Sequence, residues 1–133
     1  MIFADASALV AIICGEADAP ELVARLEAGG EASTSPIAVY EAVLAIRRVM
    51  RGSLEEARQD VMDLIARAGI AVVPTTLADA EAALAAFARF GKGQGHPAQL
   101  NMGDCFAYAA ARRQGAALLC KGADFAQTDI RLA

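Results

Sequence analysis

The sequence predicts an α/β protein with a three-layer architecture, in which helices cover both faces of a central parallel sheet. Short apolar runs of strand length alternate with longer helical stretches, and this alternation is typical of parallel βαβ units. The length of 133 residues suits one domain that spans residues 1–133. Hydrophobic residues make up 56% of the chain, and much of the excess is alanine, which favours helices.

The first elements alternate as this fold requires. Ile2 to Asp5 is a short apolar run that predicts a buried strand, and a helix is expected to begin near Ser7. A second helix covers about residues 19–28, because two glycines follow and stop it. The segment "ASTS" then fits another short strand.

Two well-marked helices follow in the middle of the chain. Ser35 is a good N-cap residue and is followed by proline, which is favoured at the first helical position. That helix is expected to continue to about Arg51 and to end at Gly52. Ser53, with a glutamate three residues later, forms a capping-box pattern for a helix through Ala68.

The second half repeats the alternation. "GIAVVPT" is a clear buried strand, and "LADAEAALAAFARF" after it is an amphipathic helix. The glycine-rich, polar stretch "GKGQGHPAQLNMG" predicts a loop. We then expect a helix from Asp104 to Gln114, a strand at "AALLC" and a last short strand at "TDIRL".

Composition excludes several classes of protein. No apolar run approaches the length of a spanning helix, and the first residues lack the basic region of a signal peptide. We therefore expect a cytoplasmic protein without membrane contact. The net charge of −4 argues against nucleic-acid binding through a broad basic surface, so any such binding would be local or assisted by a cation.

Cysteine and histidine usage narrows the chemistry. Cys14, Cys105 and Cys120 are odd in number and lie in apolar contexts, so they resemble small buried hydrophobic residues more than a disulfide framework or a zinc site. His96 is the only histidine. No mechanism that needs two histidines can therefore operate in this chain.

Four carboxylates lie where functional groups gather in such folds, and each also has a structural explanation. Asp5 ends the first strand, but Asp5 or Ser7 could simply cap the next helix. Glu41 has apolar helical neighbours, yet it could reach solvent or pair with Arg47 or Arg48. Asp104 could simply stabilise the start of a helix, and Asp124 could simply stabilise a turn.

Considered together, the four carboxylates suggest a metal site. Asp5, Asp104 and Asp124 occupy element ends that could meet at one edge of a parallel sheet, and Glu41 would enter from a neighbouring helix. Clustered carboxylates repel one another unless a cation neutralises them. Mg²⁺ prefers oxygen ligands and keeps several waters, and such a site suits phosphodiester hydrolysis by metal-activated water.

The loop before Asp104 suggests a contact with substrate. It has no match to a nucleotide-binding P-loop, and a mobile surface loop explains most of it. Lys92, His96 and Lys121 could form a local basic rim for substrate phosphates, and Asn101 could bind substrate or orient a ligand. Five arginines are assigned to solvated helix faces: Arg47, Arg48, Arg51, Arg112 and Arg113.

Three segments, which together span nearly the full length, give the chain a family resemblance. They are "MIFADASALVAII", "SPIAVYEAVLAIRR" and "FGKGQGHPAQLNMGDCFAYAAARRQGAALLCKGADFAQTDI". In these segments the chain resembles the PIN-domain proteins, and specifically the VapC-type toxins of prokaryotic toxin–antitoxin pairs. The resemblance implies a three-layer α/β/α sandwich around a parallel sheet.

The resemblance also implies roles for particular residues. Asp5, Glu41, Asp104 and Asp124 match the four acids of the family, which bind Mg²⁺ or Mn²⁺ and activate a water that cleaves RNA. Ser7 matches a hydroxyl residue beside the metal. The resemblance further implies a homodimer and a cognate VapB-type antitoxin, whose C-terminal segment occupies the active-site groove.

Three other functions remain open at this point. One is a housekeeping PIN nuclease that processes RNA without an antitoxin, and another is a module that binds RNA or protein without cleaving. An intact set of four carboxylates argues against the second, because unpaired buried carboxylates are costly. A phosphotransfer receiver domain is a weaker alternative, because "IFADAS" carries only Asp5 where that class has adjacent acids.

Overall fold

The computed structural model describes all 133 residues and confirms the three-layer α/β/α fold with a central parallel sheet. The sheet has four strands in the order β3-β2-β1-β4. The strands are β1 (Ile2–Ala4), β2 (Ala32–Thr34), β3 (Ile70–Val72) and β4 (Ala117–Leu119). The helices are α1 (Ala6–Ile13), α2 (Ala19–Ala28), α3 (Pro36–Met50), α4 (Leu54–Ala68), α5 (Leu77–Phe90) and α6 (Met102–Gln114).

Strand β1 lies at the centre of the sheet, where it pairs in parallel with β2 and β4. Phe3 stands opposite Ser33 on one side and Leu118 on the other. The buried Thr34 side chain adds a cross-strand bond, because its Oγ1 donates to the Ala4 carbonyl oxygen at 2.8 Å. The carboxyl ends of β1 and β2 are therefore held together directly before Asp5.

The alternation of side chains along the strands divides the core into two layers. Ile2 and Ala4 pack on one face, against the buried residues of α1 to α4. Phe3 and Leu118 pack on the other face, against α5, α6 and the C-terminal segment. This division follows from the two-residue period of a strand.

The helix ends mostly agree with the sequence signals. Ser35 and Ser53 are the N-caps of α3 and α4, and their hydroxyl oxygens accept from Ala38 N–H and Glu56 N–H. Helix α3 ends one residue earlier than expected, since Arg51 is its C-cap in the left-handed region with φ of 56°. No helix combines the length and the apolar character that a membrane crossing requires.

Three sequence predictions of elements were wrong. The strand within "GIAVVPT" is not buried throughout, because β3 lies at the edge of the sheet and only Ile70 of its three residues is buried. Segment "TDIRL" forms no strand of the sheet, and only Leu132 makes an isolated bridge with Leu118. The chain around Asp129 is instead held by side chains, because Tyr108 Oη donates to Asp129 Oδ1 and two arginines approach the same carboxylate. Helix α6 begins at Met102, two residues before Asp104, because Asn101 caps it.

Candidate active site

An open acidic cleft of about 630 Å³ lies beside the carboxyl end of β1. Helices α1, α3 and α6 and the segment after β4 contribute side chains to it. Six of the nine predicted site residues line this cleft, which are Asp5, Ser7, Glu41, Asn101, Asp104 and Lys121. The expected convergence of carboxylates at one sheet edge is therefore present for three of the four acids.

Asp5 follows β1 and is the most buried of the acids, with 5% of its surface exposed. It is the N-cap of α1, as the structural explanation required, because Ser7 N–H donates to its Oδ2 at 3.1 Å. The Ser7 hydroxyl donates to the same oxygen at 2.6 Å. Asp5 therefore caps α1 and lines the cleft at the same time, and the capping bond fixes its position.

Ser7 also connects Asp5 to the far side of the cleft. The backbone N–H of Lys121, just beyond β4, donates to Ser7 Oγ at 3.0 Å. Because that hydroxyl donates its own proton to Asp5, one continuous chain of hydrogen bonds runs from Lys121 through Ser7 to the carboxylate. Ser7 thus orients Asp5 relative to β4.

Asp104 occupies the first turn of α6, in a reciprocal capping box with Asn101. The Asp104 N–H donates to Asn101 Oδ1 at 2.9 Å, and the Asn101 N–H donates to Asp104 Oδ2 at 3.0 Å. The Asn101 side chain is therefore committed to the helix end. Its effect in the cleft is to set the position of the Asp104 carboxylate.

Glu41 reaches the cleft from α3, and Gly103 of α6 makes room for it. A methyl group built on Gly103 would lie 2.0 Å from Glu41 Oε2 and 2.4 Å from both Oε1 and Cδ. The Glu41 carboxylate therefore packs directly against the backbone of α6. It forms no ion pair with Arg47 or Arg48, so the alternative of a structural salt bridge does not hold.

Burial raises the pKa of all three carboxylates, and the charges of neighbouring acids raise the pKa of Glu41 and Asp104 further. Burial raises the pKa of Glu41 to about 7, and the charges of Asp5 and Asp104 add to the rise. Burial also raises the pKa of Asp104, to about 6. The hydrogen bond from the Asn101 N–H lowers this pKa, whereas the charges of Asp5 and Asp124 raise it further. Burial raises the pKa of Asp5 as well, despite the hydrogen bonds from Ser7. None of the three carboxylates forms an ion pair with a lysine, arginine or histidine side chain.

Lys121 lies in the cleft wall but is already paired. Its Nζ donates to Glu16 Oε2 and lies 3.5 Å from Asp18 Oδ1. The hydrogen bond to Glu16 is the main reason that the pKa of Lys121 is raised. The ammonium group is thus held at the rim, beside Glu16, which also lines the cleft.

Three predicted residues do not line the cleft. Asp124 is exposed and precedes a short 3-10 turn, without a capping bond from its side chain. Its charge nevertheless contributes to the raised pKa of Asp104. Lys92 is exposed in the loop, and His96 is fixed there, since its Nδ1 accepts from Ala98 N–H and its ring meets Phe90 edge-on at 5.0 Å.

Sequence reasoning overlooked part of the α3 side of the cleft. Arg48 is exposed, as expected of a solvated helix face, but it also lines the cleft together with Tyr40 and Leu44. The available signal was helical spacing, because Arg48 follows Glu41 by seven residues and so lies on the same face. Glu16, in the turn after α1, gave no comparable signal.

The donor set of the cleft fits a hard divalent cation. Carboxylate, hydroxyl and amide oxygens are the ligands that Mg²⁺ and Mn²⁺ accept. No three His, Cys, Asp or Glu side chains are already arranged to hold a metal ion. Mg²⁺ is commonly bound through one or two carboxylates with several waters, so water-mediated contacts are compatible with this arrangement. The fold and this cleft define a class of α/β proteins with a carboxylate site at the sheet edge.

Comparison with known proteins identifies that class. The family model described as the PIN domain matches residues 2–131. A VapC ribonuclease of Rhizobium meliloti (strain 1021) is 42% identical, across 98% of this chain and 99% of its own length. Ribonuclease VapC42 of Mycobacterium tuberculosis (strain H37Rv) is 36% identical, across 96% of this chain and 95% of its own.

A solved structure supports the same fold. The crystal structure of Mycobacterium tuberculosis VapC20, a toxin that cleaves the sarcin–ricin loop, aligns with a TM-score of 0.77 at 19% sequence identity. The alignment covers 100% of this chain and 98% of VapC20. The chain belongs to the PIN-domain family, with VapC ribonucleases among its relatives.

Proposed function

We propose that this protein is a metal-dependent endoribonuclease that acts as the toxin of a type II toxin–antitoxin module, as a single domain of residues 1–133. The observation that carries the proposal is the meeting of Asp5, Glu41 and Asp104 in one cleft, with no cation paired to any of them. The VapC ribonuclease relatives, which align over almost the full length, support the same activity and the toxin role.

Each of the nine predicted site residues has a role in this proposal. Asp5, Glu41 and Asp104 would hold Mg²⁺ or Mn²⁺, directly or through water, and Asp124, which lies outside the cleft lining, would complete the set of acids through its charge near Asp104. When bound, the metal supplies an activated water and offsets the negative charge of the transition state at phosphorus.

The other residues act on these carboxylates or on the RNA. Ser7 keeps Asp5 in position through the hydroxyl bond to Oδ2, and Asn101 does the same for Asp104 through the capping box. Lys121 would approach a substrate phosphate from the rim. Lys92 and His96 would contact RNA only outside the cleft, from the loop before α6.

Two protein partners belong to the proposal. A VapB-type antitoxin would silence the cleft, and a coding sequence for a small partner next to this gene would separate a toxin from a housekeeping nuclease. A second copy of the chain would pack on an apolar depression of about 320 Å³ between α5 and α6, lined only by hydrophobic side chains. Leu84 and Met102 are 69% and 67% exposed there.

The test is cleavage of cellular RNA by the purified protein. We expect cutting with Mg²⁺ or Mn²⁺, none with EDTA, and loss of cutting in Asp5→Asn and Asp104→Asn. Asparagine keeps the helix caps, so these variants should remain folded. Asp60→Asn is the matched control, because Asp60 is an exposed carboxylate on α4. Metal-independent cutting, or cutting that survives both substitutions, would overturn the proposal.

A further inference from the structure

One row of side chains on α3 has no part in the proposed metal site. Tyr40, Leu44 and Arg48 all line the acidic cleft, and their spacing of four residues places them along one face of the helix. Tyr40 is 66% exposed and Leu44 is 38% exposed. We call these three residues the α3 row. The row begins beside Glu41 and extends along α3 for about two helical turns.

Arg48 supplies the free positive charge of the cleft. Two cationic side chains line the cleft, and Lys121 is already bound to Glu16 and Asp18. Arg48 makes no ion pair in the structure. A guanidinium group with free donors binds phosphate in a two-pronged geometry. A phosphate in the cleft would therefore meet Arg48 without first breaking a salt bridge.

Tyr40 supplies an exposed aromatic ring on the same face of α3, about two helical turns before this charge. Aromatic side chains in RNA-binding proteins stack on bases that are not stacked on each other, and Arg contacts commonly accompany them. Bases inside a double helix are not available for such stacking. A tyrosine and an unpaired arginine on the same wall of the cleft thus fit a single strand.

We propose that the α3 row is the substrate-binding wall of the cleft, where Tyr40 stacks on an unpaired base and Arg48 binds a phosphate of the same single-stranded RNA. Leu44, between them, contacts the sugar and base through its apolar surface. The inference rests on the proposed ribonuclease function and adds the residues that hold the strand. An alternative occupant of the same row is a segment of a partner protein, which the experiment separates.

The experiment measures RNA binding in the cleavage-inactive Asp104→Asn background, with Mg²⁺ present. The probe is a short fluorescein-labelled single-stranded RNA of mixed sequence, followed by fluorescence anisotropy, and the same strand annealed to its complement is the comparison. We expect Tyr40→Ala to weaken binding of the single strand by about tenfold or more. Tyr40→Phe should retain most of the affinity, because it keeps the ring.

Arg48 is tested by salt dependence. Arg48→Gln should lose one phosphate contact with the single strand. The slope of log affinity against log salt concentration should therefore become shallower by about 0.7. The matched control is Arg47→Gln, which removes the same charge from the neighbouring position of α3, outside the cleft lining. That control should leave the slope unchanged.

A kinetic measurement in the otherwise wild-type protein completes the test. Tyr40→Ala and Arg48→Gln should raise KM more than they lower kcat, because they hold the strand and do not activate water. If wild-type protein cleaves RNA with metal while both variants bind and cleave like wild type, the inference fails and the proposed function stands. Equal binding of single strand and duplex would also overturn it. Variants that lose only inhibition by the antitoxin would assign the row to a protein partner instead.

Discussion

At the scale of single residues, the cleft is organised by close contacts that decide where each carboxylate points. Glu41 is held against Gly103, Asp5 is held by Ser7, and Asp104 is held by Asn101. Gly103, Ser7 and Asn101 each affect activity by fixing the position of a carboxylate, and not by touching the substrate. Small changes at these neighbours should therefore alter activity without altering the fold.

The clearest case is Gly103→Ala. Gly103 has ordinary helical backbone, so alanine should favour the helix by about 1 kcal/mol, but its methyl group would displace the Glu41 carboxylate. We expect unchanged or slightly higher thermal stability and RNA cleavage lower by about 100-fold.

The matched background for this substitution is Glu41→Gln, in which Gly103→Ala should cost little further activity. Cleavage rates and thermal melts of the four proteins measure both effects. Wild-type activity in the single Gly103→Ala variant would show that Glu41 need not stay where the structure places it.

The pKa of Glu41 makes a prediction about stability. In the folded protein this pKa is about 7, and the ordinary value is 4.5. Between these values the folded protein retains a proton that the unfolded chain has released, so the free energy of unfolding falls as pH rises through this window. In EDTA, Glu41→Gln should therefore match wild type at about pH 4 and exceed its stability by about 1 kcal/mol at about pH 8, after allowance for solvent screening.

Denaturant melts at the two pH values measure this difference. Asp60→Asn, which removes an exposed carboxylate of α4, should show no such change between them. If wild type were more stable than Glu41→Gln at the higher pH, Glu41 could not be a half-buried carboxylate repelled by Asp5 and Asp104.

At the scale of elements, the site depends on how strand ends are joined. The bond from Thr34 Oγ1 to the Ala4 carbonyl oxygen fixes β1 immediately before Asp5. Thr34→Val keeps the shape of the side chain but removes the hydrogen-bond donor, so we expect a loss of about 1–2 kcal/mol in the free energy of unfolding.

The control is Thr75→Val, at a threonine of the β3–α5 connection whose hydroxyl makes no hydrogen bond. It should change the free energy of unfolding by less than about 0.5 kcal/mol. Equal melts for the two variants would contradict the role of this bond.

Elements were predictable where local signals were strong. The N-caps Ser35 and Ser53 and the first strand, which ends just before Asp5, followed from the sequence, since capping and apolar runs are local. The C-terminal "TDIRL" was wrong because its position depends on distant partners, chiefly Tyr108 and Arg89 bound to Asp129. The start of α6 was wrong by two residues because Asn101, and not Asp104, is the cap.

The site was predictable to a similar degree. Asp5 and Asp104 could be expected at the sheet edge from their places after β1 and at the start of α6. The packing of Glu41 on Gly103 could not, because it depends on how α3 and α6 approach each other. For the same reason Arg48 was missed, and the pairing of Lys121 with Glu16 was not foreseen.

At the scale of the whole molecule, the helical layer of α5 and α6 carries a candidate surface for self-association. The α5–α6 side has an apolar depression with Leu84 exposed, which supports the proposed homodimer. We expect Leu84→Asp to convert the dimer to a folded monomer, because a buried unpaired charge is costly. Leu54→Asp, on α4 in the other layer, is the control, since Leu54 is 52% exposed. Light scattering after size-exclusion chromatography measures the mass, and a wild type that is already monomeric would refute the dimer.

The central claim is that Asp5, Glu41 and Asp104 share a divalent cation, and the most direct measurement is Mn²⁺ binding followed by electron paramagnetic resonance. We predict that wild type and Asp60→Asn bind Mn²⁺ alike, and that Asp5→Asn and Asp104→Asn each weaken binding by at least about tenfold. Binding that is equally strong in all four proteins would show that the metal lies elsewhere. The acidic cleft would then need another explanation.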